Sequence, residues 1–117
     1  LALVPANSQA CVPFSTVDFA FGSVRLDRAD LVEIRDVARK FRATSDSRVS
    51  VMAQSDGSRA NLRLSHRRAD VVKAALIRLG VPAAKIDVET LIGRKALVMG
   101  DGYARWVHLE VTAAPTC

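Results

Sequence analysis

The 117-residue chain has no apolar run approaching the roughly 18 residues that span a bilayer, because Arg, Asp or Ser interrupts every long hydrophobic stretch. A transmembrane helix is therefore not expected. Aromatic residues are scarce, with one Trp, one Tyr and four Phe, and no cluster suited to stacking on nucleic-acid bases. There is no Gly-x-Ser-x-Gly, no His-Glu-x-x-His, no phosphate loop and no Cys-x-x-Cys, which removes the motif-bearing hydrolases, zinc proteases, nucleotide enzymes and thiol oxidoreductases. The two histidines, His66 and His108, lie far apart in sequence with no third partner suggested. No catalytic residue, metal ligand or cofactor is expected, and no internal repeat or low-complexity tract is present.

Cysteine is nearly absent too. Cys11 and Cys117 lie near opposite ends, much too far apart for a metal knuckle. They read as one disulfide, and closing a loop of about 100 residues restrains the unfolded chain by up to about 4–5 kcal/mol in the entropy model. Such a bridge implies an oxidising compartment, the periplasm or outside the cell; the other reading is two unrelated thiols in a cytosolic protein. Residues 1–15 are expected to be a linker or a processed segment and 16–117 the domain. Lipid attachment at Cys11 is the lesser reading, because Ser8 stands where a larger aliphatic residue is expected.

Half of the residues are hydrophobic, enough for one domain to bury a core of its own. Alternation over Thr16–Val24, with Val17, Phe19 and Phe21 on one side, predicts a first strand. Asp27 and Asp30 form an Asp-x-x-Asp start to a helix over Arg28–Ala43, whose Leu31, Ile34, Val37, Ala38 and Phe41 fall at helical spacing. Val49, Val51 and Ala53 predict a second strand. A second helix, Arg59–Leu79, ends at Gly80 with Pro82 beyond. Lys85–Leu91 and Trp106–Thr112 predict two more strands, separated by a loop from about Gly93 to Gly102. The order β-α-β-α-β-β implies an α/β domain with one mixed sheet, and the simpler arrangement packs both helices on one face.

One residue conflicts with this pattern. Arg68 shares a helical face with Leu64, Val71, Val72, Ala75 and Leu76, so it projects toward the sheet. An unanswered guanidinium there would cost roughly 3–5 kcal/mol, and the obvious protein partner is Asp56, in the loop entering the same helix. Two readings stand: a structural ion pair, or a pair with spare capacity that binds a zwitterion, Asp56 taking an ammonium and Arg68 a carboxylate. Ser55, Ser58 and Asn61 could add hydrogen bonds, and Ser58 or Asn61 could instead cap the helix.

The run Asn61, Leu62, Arg63, Leu64, Ser65, His66, Arg67, Arg68, Ala69, Asp70, Val71, Val72 resembles the N-x-x-L-S-x-x-R-A-x-x-V signature of the OmpA-like C-terminal domain family, and Leu76, Gly80 and Val81 continue it. The likeness covers about Val17–Val111. It implies a non-catalytic peptidoglycan-binding domain of the cell envelope, periplasmic and attached to the outer membrane or to an envelope complex. It further implies that Asp56 and Arg68 grip the diamino acid of the stem peptide and that Asn61 assists. Of the family's two arginines before the last strand only Arg105 remains, within Ala104, Arg105 and Trp106.

The shortened loop between Asp56 and Asn61, Trp106 and the missing second arginine favour a competing use of the same fold, contacts with other envelope proteins in a secretion or pilus assembly. The net charge of +5 and the outward stripe of Arg59, Arg63, His66 or Arg67, and Lys73 would suit nucleic acid, but such stripes are more often solvated faces. Nucleic acid is not an expected partner.

Overall fold

A computed structural model describes residues 15–92 and 105–113. The elements are β1 (Ser15–Asp18), α1 (Arg28–Ala43), β2 (Ser47–Ser55), α2 (Arg59–Arg78), a short 3-10 turn (Ala83–Lys85), β3 (Ile86–Ile92) and β4 (Trp106–Ala113). Among these residues no helix is long and apolar enough to cross a membrane. Cys11, Cys117, residues 1–14 of the expected linker or processed segment and the expected loop from about Gly93 to Gly102 lie outside the described residues, and so does the expected disulfide.

The sheet order is β1-β4-β2-β3. β4 runs antiparallel to both neighbours, while β2 and β3 are parallel and joined through α2. This is the mixed sheet that alternating strands and helices require. In β2, Val49, Val51 and Ala53 are buried and Arg48, Ser50 and Met52 are partly exposed; in β4, Val107, Leu109 and Val111 are the buried partners. One sheet face therefore meets both helices, where Ile34, Val37 and Ala38 of α1 and Ala69, Val72, Ala75 and Leu76 of α2 complete the core.

Both helices are closed by recognisable chemistry. At the start of α1, Asp27 Oδ1 accepts from Asp30 N at 2.8 Å and Asp30 Oδ2 accepts from Asp27 N at 2.9 Å, a reciprocal capping box. Burial, with the negative charges of Asp27 and Asp18 nearby, raises the Asp30 carboxyl above its ordinary value, although the hydrogen bond from the Asp27 main chain opposes the rise. α2 stops where Gly80 takes a φ of 97°, with Val81 N donating to Leu76 O and Gly80 N to Ile77 O. That pairing closes the helix end in the way a left-handed residue permits.

The first strand is shorter than its alternation predicts. It ends at Asp18 because residues 20–23 fold into a turn, with Ser23 N donating to Ala20 O at 2.9 Å and Gly22 at φ 67°. Phe21, in phase with Val17 and Phe19, is carried out of the core to 78% exposure. β2 is longer than expected at both ends, since its pairing with β3 and β4 reaches Ser55 and Ser47.

Candidate functional site

The site is built where β2 hands over to α2. Ser65 Oγ donates to Gln54 O at 2.6 Å and ties the second turn of α2 to the end of the strand. Ser55 is fully buried and its Oγ accepts from Gly57 N at 3.0 Å. Gly57 has a φ of 87°, and a Cβ there would meet Ile92 Cγ2 at 3.2 Å, so both backbone angle and space favour glycine. Ser58 caps α2, its Oγ accepting from Asn61 N at 3.3 Å.

These contacts present Asp56 at the helix entrance. Its Oδ1 accepts from Ser58 N at 2.9 Å and its Oδ2 from Asn61 Nδ2 at 2.6 Å. The Ser58 main-chain N–H foremost, then the Ser58 hydroxyl and the Asn61 amide, hold its carboxyl below the usual aspartate range. The carboxylate is therefore ionised at neutral pH and partly exposed.

Arg68 lies on the inner face of α2, as its spacing requires, and is only 1% exposed. Its guanidinium carbon stands 5.3 Å from the centre of the Phe19 ring. Nε donates to Ser23 O at 2.8 Å and Nη2 to Ala20 O at 3.1 Å, so the side chain clamps both ends of the turn after β1. The ion pairs among the described residues are Arg39–Asp36, Lys40–Asp36 and Arg48–Asp87. Asp56 and Arg68 thus form no direct salt bridge: the Asp56 carboxylate is taken up by Ser58 and Asn61, while the Arg68 guanidinium is directed to the carbonyls of Ser23 and Ala20.

Arg105 joins the same neighbourhood through its main chain. Its carbonyl accepts from Phe19 N at 3.1 Å, and its Nε is buried with no hydrogen-bond partner. A buried guanidinium N–H of this kind is an unanswered donor. The structure therefore brings Asp56 and Asn61 together at one end of the region, sets the Arg68 side chain and the Arg105 main chain against residues 19–23 at the other, and places Ser55 beneath the connecting loop.

A sequence model of the OmpA family matches residues 18–99. The chain belongs to the OmpA family. No curated protein sequence matches it. Solved structures similar to this OmpA-family chain include the OmpA-like domain of FopA1 from Francisella tularensis, at 19% identity and a TM-score of 0.73 over 89% of this chain and 75% of that one. The C-terminal domain of Helicobacter pylori MotB aligns at 14% identity and a TM-score of 0.70, covering 86% of each chain. The peptidoglycan-associated lipoprotein from Burkholderia pseudomallei aligns at 22% identity and 0.66, over 83% of this chain and 87% of that one. At these identities the likeness establishes the fold, two helices on a mixed four-stranded sheet.

Four contributors escape a sequence reading of the site. The carbonyls of Ala20 and Ser23 have no side-chain signature, and Phe19 reads only as core. Ser65 is visible as part of the signature run, but its partner, the Gln54 carbonyl, is not.

Proposed function

We propose that this OmpA-family domain is a non-catalytic binding module for peptidoglycan in the periplasm, attached to the outer membrane or to an envelope complex. The observation that carries the proposal is the Asp56 carboxylate, held ionised by Ser58 and Asn61 and partly open at the helix entrance. Such a group suits the ammonium of a free amino-acid terminus. The family membership and the shared fold with a protein named for its association with peptidoglycan support the same ligand.

In this proposal Asp56 receives the ammonium of the stem-peptide diamino acid, Asn61 fixes the carboxylate that does so, and Ser55 shapes the loop. Arg68 and the unanswered Nε of Arg105 serve the ligand carboxylate. Because Arg68 lies beneath the turn it clamps, its charge acts through that turn, and direct contact requires residues 20–23 to move aside.

Co-sedimentation with purified sacculi tests this. Wild type should pellet with sacculi, Asp56→Asn should remain in the supernatant while melting normally, and Arg105→Gln should lose part of the binding. Retention of Asp56→Asn at the wild-type level would refute the assigned site. Since the Asp56 carboxyl is depressed, binding should persist as pH falls through the ordinary aspartate range and fail only below it; Asn61→Ala should move that midpoint upward.

A second use, contact with other envelope proteins, is favoured by Val88 and Ile92, which are 42% and 59% exposed on the outer strand β3. A domain used only in that way would ignore sacculi altogether, whatever stands at position 56.

A further inference from the structure

A surface groove of about 370 Å³ runs beside the site along α2, lined by Ala60, Asn61, Arg63, Leu64 and Arg67. Leu64 is half-buried and forms its apolar floor, while Arg63 and Arg67 are exposed along one margin. Residues four apart on a helix are neighbours, with Cβ atoms about 6 Å apart, so the two guanidinium groups rise from successive turns over one stretch of groove. Arg59 extends the same stripe by another turn. Among the described residues none of the three meets a carboxylate within ion-pair distance. The first turn of α2 holds no acidic residue either, and the acid nearest its start, Asp56, is engaged with Ser58 N and Asn61 Nδ2 rather than with these arginines.

The groove is continuous with the proposed ligand site through Asn61, which borders it and whose Nδ2 holds Asp56. A ligand whose ammonium end is held at Asp56 would find the arginine pair within about 9 Å along the helix, at roughly 1.5 Å per residue. Arg63 lies about 3 Å and Arg67 about 9 Å beyond Asn61 along the axis, so an extended peptide reaches the pair within one to three residues at about 3.3–3.6 Å each.

We propose that Arg63 and Arg67 form a second anion subsite, which receives a carboxylate carried by the same acidic peptide one or two residues away from the amino-acid end held at Asp56. The subsite rests on the peptidoglycan reading above and deepens it: the domain would recognise the ionised form of the stem peptide and reject the form in which that acid is an amide. The two guanidinium groups can take one carboxylate between them, and the apolar floor accepts the intervening methylenes.

Three probes separate the subsite from the site. They are free diaminopimelate, the tripeptide alanyl-γ-glutamyl-diaminopimelate, and the same tripeptide with its glutamyl α-carboxylate amidated, each titrated calorimetrically into the intact chain. Wild type should bind the acidic tripeptide about three- to tenfold more tightly than the amidated one, a range set by an exposed charge-assisted contact. The double variant Arg63→Gln/Arg67→Gln should bind both tripeptides alike and leave the affinity for free diaminopimelate unchanged; a wild-type thermal melt would show its fold intact. Equal affinity of wild type for the two tripeptides would overturn the subsite alone. Failure of wild type to bind any of the three would overturn the reading of the Asp56 site, and the subsite with it. Loss of binding to a DNA duplex, with unchanged discrimination between the tripeptides, would assign the arginines to nucleic acid and likewise overturn the proposal.

Discussion

The two helices share a sheet and treat charge in opposite ways. On α1 the acid of the first turn is Asp30 and the bases of the last turn are Lys40 and Arg42, which matches the helix dipole. Its outer face neutralises itself, since Asp36 pairs with both Arg39 and Lys40. The first half of α2 carries Arg59, Arg63 and Arg67 at four-residue intervals, with no acid in its first turn and only Ser58 as cap. Like charges at that spacing oppose the helix by about 0.2–0.5 kcal/mol per pair. α1 has the better-matched ends and outer charges of the two. α2 depends on its buried face and leaves these three arginines without an ion pair among the described residues.

The sharpest contrast lies within α2, between adjacent arginines. Arg68→Ala should destabilise the domain by about 3–5 kcal/mol, through lost charge-assisted bonds to Ala20 O and Ser23 O and a void beside Phe19. Arg67→Ala should change stability by less than about 0.5 kcal/mol. Urea unfolding of both variants measures the difference, and similar midpoints would mean that the inner and outer faces have been misjudged.

The caps give the next largest difference. Asp27→Ala removes one half of a reciprocal box with bonds of 2.8 and 2.9 Å and should cost about 1–2 kcal/mol. Ser58→Ala removes a single bond of 3.3 Å and should cost about 0.5–1 kcal/mol. A reversal of that order in thermal melts would count against the view that α1 is the better-closed helix.

Charge reversal on α2 should have the opposite sign. Arg63→Glu relieves two like-charge neighbours and suits the dipole, so it should stabilise by about 0.3–0.5 kcal/mol at low salt, with the gain fading as salt rises. The same change should weaken binding of the acidic tripeptide. The smallest effect concerns pH. The side-chain hydrogen bond from Lys40 chiefly, with Arg39, lowers the Asp36 carboxyl, so its contribution is present above the ordinary aspartate range and lost as pH falls through the lowered value. Wild type and Asp36→Asn should differ slightly at neutral pH and converge in acid, where the outer face of α1 becomes as unbalanced as that of α2.

Much of this was legible in the residues. The Asp27–Asp30 pattern and the apolar spacing from Leu31 to Phe41 mark α1 at the boundaries observed, Arg28–Ala43, and Gly80 followed by Pro82 marks the end of α2. The inward direction of Arg68 follows from periodicity alone. The turn that receives it does not: two main-chain carbonyls 45 and 48 positions earlier accept from the guanidinium, and a carbonyl carries no signal in the sequence. The end of β1 was hidden for a related reason. Phe21 continues the alternation of Val17 and Phe19, and only the φ of 67° at Gly22 shows that the chain has already turned.

A fastening made through backbone oxygens is indifferent to the side chains mounted on it. Positions 20 and 21 can therefore be exchanged widely while the support beneath them stays in place, Ser23 being kept because its Oγ accepts from Arg25 N, and Phe21, at 78% exposure, offers new chemistry at little risk to folding. A library randomised over that short segment, with Arg68, Gly22 and Ser23 retained, would be a practical starting point for changing what this domain recognises.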